Sequence, residues 1–398
     1  MTSHKMRILI VHNYYQQRGG EDESVEQDIQ LLREHGHEVN FFSKHNDEIN
    51  HYSPFEKGAM LFSTTWSGRS YREIEKIIRS FRPDVIHVQN FFPLISPSIH
   101  DAAKKFHIPV VQTLRNYRLL CSNGLFFRDG KVCELCLNRM PLAGVRYGCY
   151  RNSRIQSMAV AMMIARHRLS QTWQKKVSRF IALGSFARGK FIEGGLPAEK
   201  ISIRPNFLRD VPDYAEMNRK GFALFIGRLS AEKGIKTLLE TWKGISDIPL
   251  VLVGDGPMRV WMEEFIQTEK LSNVTLAGRL DQTGVFDYLH RAEMLIVPSE
   301  WYETFGRVVL EAFASGAPVI VSQIGALQDL VAHEETGLLF QPGDSRDLAA
   351  KVRQLSTDKE LSETLRQKAR KLYEAQYSSE RAYTLLMDIY SEAINSAD

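Results

Sequence analysis

Short apolar runs recur along the chain, and each is followed by a loop and a helical pattern. The first run spans residues 7–11, and the helix after it would bury one apolar face and end at Gly36. Residues 38–42 form the next run and complete a strand–helix–strand unit. Two further runs, at residues 84–88 and 110–113, each follow a helical stretch and a proline. Continuous apolar runs of this kind predict buried parallel strands.

A second series of strands begins after a polar stretch that ends at Lys220. Its apolar runs alternate with helical patterns and lie at residues 222–226, 250–253, 274–276, 294–297 and 319–321. The predicted fold class is α/β, with two Rossmann-like, doubly wound parallel-sheet domains that face each other across a cleft. We place these domains at residues 1–205 and 206–377, and we expect a C-terminal helix at 378–398 to pack back on the first domain.

Length and composition agree with two ordinary globular domains. A chain of 398 residues is longer than a single hydrophobic core usually supports. Its contents of 43% hydrophobic and 25% charged residues are near the average of globular proteins. A formal net charge of +4 is too small to indicate wholesale nucleic-acid binding. The sequence shows neither a signal-peptide core nor an apolar run long enough to span a membrane, so we expect a cytoplasmic protein.

Glycine-rich turns follow several strands in the second half of the chain. After the run at 222–226 come Gly227, Arg228 and Lys233, just before a helix. Two cations beside the free N–H groups of a helix start form an anion site that suits a diphosphate. The alternative is a solvated turn whose cations only shield the helix. Weaker signals of the same kind are the turn residues Gly254, Arg279 and Leu280.

Two glutamates stand eight positions apart in the segment 298–312. Glu303 lies in the loop after a strand, and Glu311 lies in the helix that residues 305–308 would open. This spacing suits a nucleotide sugar, because one carboxylate would bind sugar hydroxyls, the helix amides would bind phosphates and the second carboxylate would bind the ribose. The alternative is one charge at a helix N-terminus and one ordinary surface charge.

In their order and on these strand ends, the segments 227–234, 254–257 and 303–311 resemble the motifs of the family 4 retaining glycosyltransferases of the GT-B fold. The resemblance covers most of the chain. It implies that Arg228 and Lys233 hold the diphosphate, that Glu303 binds the donor sugar and that Glu311 binds the ribose. Main-chain groups of Thr304, Phe305, Gly306 and Arg307 would complete the donor site. Gly19 and Gly20 would form a loop that closes over the diphosphate and makes room for the acceptor.

The function that this resemblance implies is transfer of a sugar, with retention of its anomeric configuration, from a UDP- or GDP-sugar to a glycan or lipid-linked acceptor. The expected setting is the synthesis of cell-surface polysaccharide or glycoconjugate. The first domain would take the acceptor and the second the donor, with no catalytic metal. The alternatives are a nucleotide-sugar epimerase of GT-B-like fold and a zinc-dependent nucleic-acid-binding protein, although we expect no nucleic-acid partner.

One position departs from the family pattern. Many relatives carry a histidine after the strand that corresponds to residues 110–113, whereas this chain has Arg115 and then Asn116. Arginine cannot act as a base at neutral pH, but Arg115 could steady a phosphate. We expect both residues on the acceptor or sugar side of the site.

All four cysteines lie in a segment at about 115–150, which we interpret as an insertion in the first domain. They give a Cys-x2-Cys centre with one cysteine on each side: Cys121, Cys133, Cys136 and Cys149. Four thiolates in a loop-rich segment match a structural zinc site. The alternative is four reduced, partly buried cysteines.

Residues 135–192 contain no Asp or Glu but carry eleven Lys and Arg residues. The middle of this stretch, residues 157–165, is apolar and includes Met158, Met162 and Met163. A basic and partly apolar surface predicts contact with anionic membrane lipid or with a lipid-diphosphate acceptor, which would place the protein on the inner face of the membrane. The alternative is a core helix with a solvated basic face.

Overall fold

The computed structural model describes residues 5–16, 19–209, 211 and 221–396. These residues form two compact units. The first contains the described residues up to Phe126, together with Glu134–Asn206 and those from Ser379 onward. The second contains Phe127–Cys133 and Phe207–Ser378. Each unit has its own six-stranded parallel sheet, which confirms the predicted fold class of two doubly wound α/β domains.

The strands of the first half of the chain are β1 (Arg7–Tyr14), β2 (Glu38–His45), β3 (Val85–Val88), β4 (Val110–Leu114), β5 (Phe127–Arg128), β6 (Lys131–Val132), β7 (Arg179–Ala182) and β8 (Ile201–Ile203). The first sheet has the order β2-β1-β3-β4-β7-β8, and all its neighbours pair in parallel. Its strands are apolar because helices cover both faces, and Ile8, Leu9 and Ile10 are completely buried. The short antiparallel hairpin of β5 and β6 lies outside this sheet.

The helices of the first half are α1 (Gly20–Glu34), α2 (Pro54–Ser63), α3 (Gly68–Phe81), α4 (Ser98–Lys105), α5 (Leu142–Arg146), α6 (Arg154–Leu169), α7 (Thr172–Lys176) and α8 (Ser185–Glu193). Helix α1 follows β1 directly, and its first turn carries Glu21, Asp22 and Glu23, which complement the positive end of the helix dipole. The helix ends as predicted before Gly36, which has a φ of 81°.

The last helix, α16 (Ser379–Asn395), belongs to the first unit. Its apolar face packs with β1, β3 and β4 in one buried cluster that includes Leu386 and Tyr390. The Tyr390 hydroxyl lies 2.7 Å from Nδ1 of His87, and the other ring nitrogen of His87 lies 2.7 Å from Oγ1 of Thr113. Burial lowers the pKa of His87 to about 3, so this central histidine is neutral at physiological pH.

The second unit repeats the same architecture. Its strands are β9 (Ala223–Ile226), β10 (Leu250–Val253), β11 (Val274–Gly278), β12 (Met294–Val297), β13 (Val319–Ser322) and β14 (Leu338–Phe340). They run parallel in the order β11-β10-β9-β12-β13-β14. The helices are α9 (Ile235–Trp242), α10 (Arg259–Thr268), α11 (Gln282–Arg291), α12 (Arg307–Ala314), α13 (Leu327–Leu330), α14 (Ser345–Thr357) and α15 (Lys359–Gln376).

The predicted and observed organisation differ in two respects. Strands β5, β6, β7 and β14 were not predicted, because they are short and lie in stretches that give no clear alternation with helices. Residues 127–133, placed in the first domain by the sequence pattern, belong to the second unit. A local pattern cannot show this membership, because it depends on which distant parts of the chain lie next to each other in the fold.

Candidate functional site

The loops after four neighbouring strands of the second sheet lie at its carboxyl edge, where open α/β sheets bind ligands. Gly227 follows β9 and donates its N–H to the carbonyl of Val253 at 3.0 Å. Gly254 follows β10, donates to the carbonyl of Gly278 at 2.7 Å and has a φ of 143°. A Cβ at Gly254 would lie 1.9 Å from the carbonyl oxygen of Gly227, so only glycine fits there. These hydrogen bonds join the backbones of the predicted glycine turns to one another.

Lys233 and Glu303 meet at this edge although they are 70 positions apart. Lys233 ends the short 3-10 helix before α9, and its Nζ lies 2.5 Å from Oε1 of Glu303. The same carboxylate oxygen accepts bonds from the Ser299 hydroxyl at 2.8 Å and from the Trp301 ring N–H at 3.1 Å. Glu303 is only 7% exposed. The carboxylate is therefore fixed by three donors, with one of its oxygens carrying all of these bonds.

Arg228 lies in the loop after β9 and its side chain is exposed. Within the part of the chain that the structure describes, it forms no salt bridge. Arg279 and Leu280 follow β11 and are also exposed. The carboxyl edge of the second sheet thus presents basic side chains to solvent beside the fixed Lys233–Glu303 pair, a combination that attracts anions.

Helix α12 begins at Arg307, two residues later than the pattern predicted. Gly306 is its N-cap and has a φ of 103°, a conformation that ends the preceding loop and that other residues avoid. Glu311 lies in the second turn, is 8% exposed and accepts a 3.0 Å bond from Nε of Arg307. The Phe305 ring is buried against Tyr377, and Thr304 is half-buried. The first amides of α12 and two nearly buried carboxylates therefore belong to one segment.

In the first unit, the start of α1 is fixed by Asp22. Gly19 is the N-cap and Gly20 the first helical residue, and the Gly19 N–H donates to Asp22 Oδ2 at 3.1 Å. The other carboxylate oxygen of Asp22 lies 2.8 Å from Nε2 of His12, and both side chains are completely buried. The His12 ring at the end of β1 thus holds the helix that carries the two predicted glycines.

A second polar cluster beside α1 joins Asn116 to Tyr15 and Glu21. The Asn116 amide donates to the Tyr15 hydroxyl at 2.9 Å and lies 3.5 Å from Oε2 of Glu21, while Tyr15 donates to the same Glu21 oxygen at 3.2 Å. Burial raises the pKa of Glu21, and its Oε1 has no hydrogen-bond partner in the described structure. Asn116 was predicted from the sequence, whereas Tyr15 and Glu21 were not, although both flank the predicted glycine loop.

Arg115 is not available to a phosphate in this structure. It is 7% exposed, and its guanidinium donates to Gln89 at 2.8 Å, to Asn206 at 3.1 Å and to Asp28 at 3.2 Å. Arg204 binds the other oxygen of Asp28 at 2.7 Å. In this structure the guanidinium of Arg115 is therefore paired with a buried carboxylate, and its predicted contact with a phosphate stays a prediction.

The carboxylate of Asp28 is the centre of this buried network. Burial alone would raise the pKa of Asp28, but the Arg204 and Arg115 cations more than offset it and hold that pKa below its ordinary value. Asp28 also accepts a 3.1 Å bond from Gln89. The network therefore links the middle of α1 to residues that follow β3, β4 and β8.

The four cysteines are free thiols, and all lie among the described residues. Cys121 and Cys136 are buried, whereas Cys133 and Cys149 are partly exposed. Burial raises the pKa of the Cys121 thiol, which donates to Asn123 Oδ1 at 2.9 Å. In the described part of the chain, no three His, Cys, Asp or Glu side chains are grouped to hold a metal ion. The predicted zinc ligands are not brought together here, and zinc stays a prediction.

Two family models match adjoining parts of the chain. The model of "Glycosyltransferase Family 4" matches residues 19–209, and that of "Glycosyl transferases group 1" matches residues 209–372. Their junction lies close to the boundary between the two units at Asn206.

Characterised relatives share substantial identity with the chain. It is 32% identical over 323 residues to the glycogen synthase of Mycobacterium tuberculosis, which is 79% of this chain and 70% of that protein. It is also 32% identical over 181 residues to 2-deoxystreptamine N-acetyl-D-glucosaminyltransferase of Niallia circulans, which is 44% of this chain. The chain spans only 46% of the length of that second relative.

Solved structures show the same fold over nearly the whole chain. The crystal structure of Anabaena HepE in complex with UDP and glucose matches with a TM-score of 0.67 and 18% identity. The match covers 97% of this chain and 99% of that one. The fold of the chain is therefore GT-B.

Proposed function

Because the chain belongs to the family 4, group 1 glycosyltransferases, we propose that it transfers a sugar from a nucleotide-diphosphate sugar to a glycan or lipid-linked acceptor, with retention of anomeric configuration. UDP- and GDP-sugars are the donors that we propose. The acceptor would be an intermediate in the synthesis of cell-surface polysaccharide or glycoconjugate. Residues 1–205 would take the acceptor and residues 206–377 the donor.

The observation that carries this proposal is the Lys233–Glu303 pair beside exposed Arg228 at the carboxyl edge of the second sheet. When a donor enters, its pyrophosphate would compete for the Lys233 ammonium, and Glu303 would then be free of that ion pair to accept hydrogen bonds from the sugar hydroxyls. The site thus already holds a cation for the diphosphate and a carboxylate for the sugar hydroxyls.

The rest of the donor would lie along α12. Main-chain amides at Thr304, Phe305, Gly306 and Arg307 would bind phosphate and sugar oxygens, because they lie in the loop before α12 and at its first residue, where an amide has no partner within the helix. Glu311, held by Arg307, would accept bonds from the ribose hydroxyls. The joined backbone turns at Gly227 and Gly254, with Arg279 and Leu280, would border the nucleotide, and Gly19 and Gly20 would approach the diphosphate from the first domain.

We propose that the reaction proceeds by front-face attack. As the bond between the anomeric carbon and the diphosphate oxygen breaks, negative charge grows on the leaving group, and Arg228 and Lys233 stabilise it. The acceptor oxygen attacks from the same face and passes its proton to the departing phosphate. No protein nucleophile and no catalytic metal are needed in this scheme.

On the acceptor side, we propose that Asn116 contacts the acceptor and that Arg115 acts by holding α1 in place. The Tyr15–Glu21–Asn116 cluster supports this assignment, because Glu21 Oε1 is a buried acceptor atom without a partner. A structural zinc on the four cysteines is a separate proposal, which metal analysis of protein purified without added zinc would test.

A donor screen followed by hydrolysis tests the function without knowledge of the acceptor. Thermal shift with UDP, GDP and their sugars should reveal one nucleotide family that raises the melting temperature. In the absence of acceptor, water should slowly take its place, and NMR of the first sugar released should show the anomeric configuration of the donor. The Lys233→Met variant should lose this activity and remain folded.

Three results would contradict the proposal. Release of the opposite anomer would exclude retention, and appearance of an isomeric nucleotide sugar would favour the epimerase. If no nucleotide diphosphate or nucleotide sugar changes the melting temperature, the proposed donor site is wrong.

A further inference from the structure

Exposed apolar side chains are concentrated in one part of the first unit. The described residues expose fourteen large hydrophobic side chains, and eleven of them lie between Phe55 and Leu169. Scattered exposed hydrophobic residues are normal on any protein, but a concentration on neighbouring elements marks an interaction surface.

Helix α6 presents one of these faces. Its exposed residues Ile155, Met158, Met162, Arg166 and Leu169 are spaced by three or four positions, so they form one stripe along the helix. Ile155 and Leu169 are 69% and 75% exposed. The opposite face of α6 is buried in the first unit. The stripe is therefore an outward, mostly apolar face about 21 Å long from Ile155 to Leu169, at 1.5 Å per residue.

Helix α2 packs beside α6 and presents a second apolar face. None of its residues is buried, and Phe55 and Phe62 are 85% and 71% exposed. These two residues are seven positions apart and thus lie on the same side of the helix. The one acidic side chain of α2, Glu56, bonds to Ser53 at the helix N-cap. Helix α5 also packs on α6 and adds Leu142 on its exposed side.

Six of the eleven basic residues in the acid-free stretch at 135–192 form two contrasting groups of three. Lys176, Arg179 and Lys190 form salt bridges with acidic residues elsewhere in the first unit. Arg146, Arg154 and Arg166, which lie on α5 and α6, are exposed and form no salt bridge within the described part of the chain. The apolar stripe is therefore flanked by cations whose charge is not neutralised.

We propose that the outward faces of α2, α5 and α6 form a docking surface for an anionic lipid bilayer. Long apolar side chains with free cations beside them suit the boundary between acyl chains and anionic headgroups. Among residues 5–16, 19–209, 211 and 221–396, no helix has the length and apolarity to cross a bilayer, so the contact is peripheral. This proposal deepens the proposed function. It rests on that function in one respect only, which is that the first domain binds an acceptor carried by the membrane.

Charge is the reason to choose lipid over a second copy of this chain. Two copies that met through this surface would bring unneutralised arginines on both sides together, which is unfavourable. An anionic bilayer supplies both hydrocarbon and negative charge. The exposed methionines of α6 add flexible side chains that adapt to a fluid partner.

Co-sedimentation of the full-length chain with vesicles tests the surface directly. Vesicles of phosphatidylcholine alone, and of phosphatidylcholine mixed with phosphatidylglycerol, would be compared at low and high salt. The protein should bind the anionic vesicles, and high salt should weaken this binding. No donor or acceptor is present, so Lys233→Met should bind vesicles as well as the natural chain. A failure of this proposal is thereby separated from a failure of the proposed transfer reaction.

Two triple variants separate the apolar and the charged contributions. Ile155→Gln, Met158→Gln and Met162→Gln together should weaken binding to both kinds of vesicle by at least about tenfold, as expected when one buried side chain of this size is lost. Arg146→Gln, Arg154→Gln and Arg166→Gln together should weaken binding to anionic vesicles by about a hundredfold, the combined effect of three basic residues near an anionic surface.

The matched control combines Val260→Gln, Lys368→Gln and Lys371→Gln, which are exposed positions of the second unit. It should bind vesicles like the natural chain. Because all substituted residues are exposed, every variant should keep its melting temperature. The proposal is overturned if the natural chain does not sediment with anionic vesicles, or if either triple variant binds as well as the control. It is also overturned if light scattering shows a dimer that the Ile155, Met158 and Met162 substitutions dissociate while vesicle binding is unchanged.

Discussion

Substitutions of Lys233 and of Glu303 should change the affinity for the nucleotide diphosphate, bound without its sugar, in opposite directions. In the free protein the two groups are paired at 2.5 Å, so a phosphate must compete with Glu303 for the ammonium of Lys233. Lys233→Met keeps the aliphatic chain near the Trp301 ring and removes only the charge. It should weaken binding of the diphosphate. Glu303→Gln frees Lys233 and should strengthen the same binding.

The structure sets the expected magnitudes. An ion pair whose lysine is one-quarter exposed is worth about 1 kcal/mol or less, so Glu303→Gln should tighten diphosphate binding by up to about fivefold. Lys233→Met removes one charge that stabilises the leaving group, which should slow release of nucleotide diphosphate from the donor by about 10²–10³-fold, or roughly 3–4 kcal/mol. The free energy of unfolding should change by about 1 kcal/mol at most in either variant.

Calorimetric titration with the nucleotide diphosphate, followed by donor hydrolysis at saturating donor, measures both effects. Lys236→Met, at an exposed lysine of α9, is the matched control and should leave both unchanged. Equal loss of diphosphate affinity in Lys233→Met and Glu303→Gln would refute the assignment of Glu303 to the sugar. Hydrolysis by Lys233→Met within threefold of the natural rate would refute the role of Lys233.

Three further predictions concern other parts of the molecule. Glu311→Gln should weaken donor binding by about ten- to a hundredfold in the same titration, because a charged acceptor for the ribose is lost, with a smaller effect on the hydrolysis rate at saturation. Asp28→Asn should lower the free energy of unfolding at pH 7 by about 3–5 kcal/mol in urea titrations, because the buried Arg115 and Arg204 would lose the carboxylate that they share. The folded-state pKa of Asp28 is below its unfolded value, so this contribution is present at neutral pH and lost as the pH falls through that lowered pKa, and the gap between the two proteins should narrow in acid. Incubation with EDTA should not reduce donor hydrolysis, and loss of activity restored by Mg²⁺ or Mn²⁺ would contradict the metal-free scheme.

The donor-side features could be predicted because they are local in the chain. Gly227 and Gly254 each follow an apolar strand directly and Glu303 lies in the loop after another, so a strand and its loop identify the residue and its place at the sheet edge. The start of α12 was misplaced by two residues because its boundary depends on the φ of 103° at Gly306, which the sequence does not show. Lys233 and Glu303 were predicted to share one ligand, and their direct contact required the structure.

The acceptor-side features depend on contacts between distant residues. Asn116 bonds to Tyr15 across 101 positions, and Arg115 bonds to Asp28 across 87. No turn or helix signal connects these pairs, so the partners of Asn116 were missed and Arg115 was assigned to a phosphate. A basic and partly apolar surface was predicted for residues 135–192, with a core helix as the alternative, because the apolar sequence of α6 fits a core helix and a surface helix alike. The exposed face of α2 was not predicted.

The position of Arg115 in the Asp28 network changes how its departure from the family pattern is understood. Asp28 lies on α1 about two turns after Gly20, the first residue of that helix, and α1 carries the glycine pair that the proposed mechanism brings near the diphosphate. Arg115 and Arg204 together hold this helix through Asp28. Replacing Arg115 by the histidine of many relatives would therefore remove a buried counterion of Asp28 and loosen α1. We therefore propose that the arginine affects the site through the helix that it anchors, and that the neighbouring Asn116 contacts the acceptor.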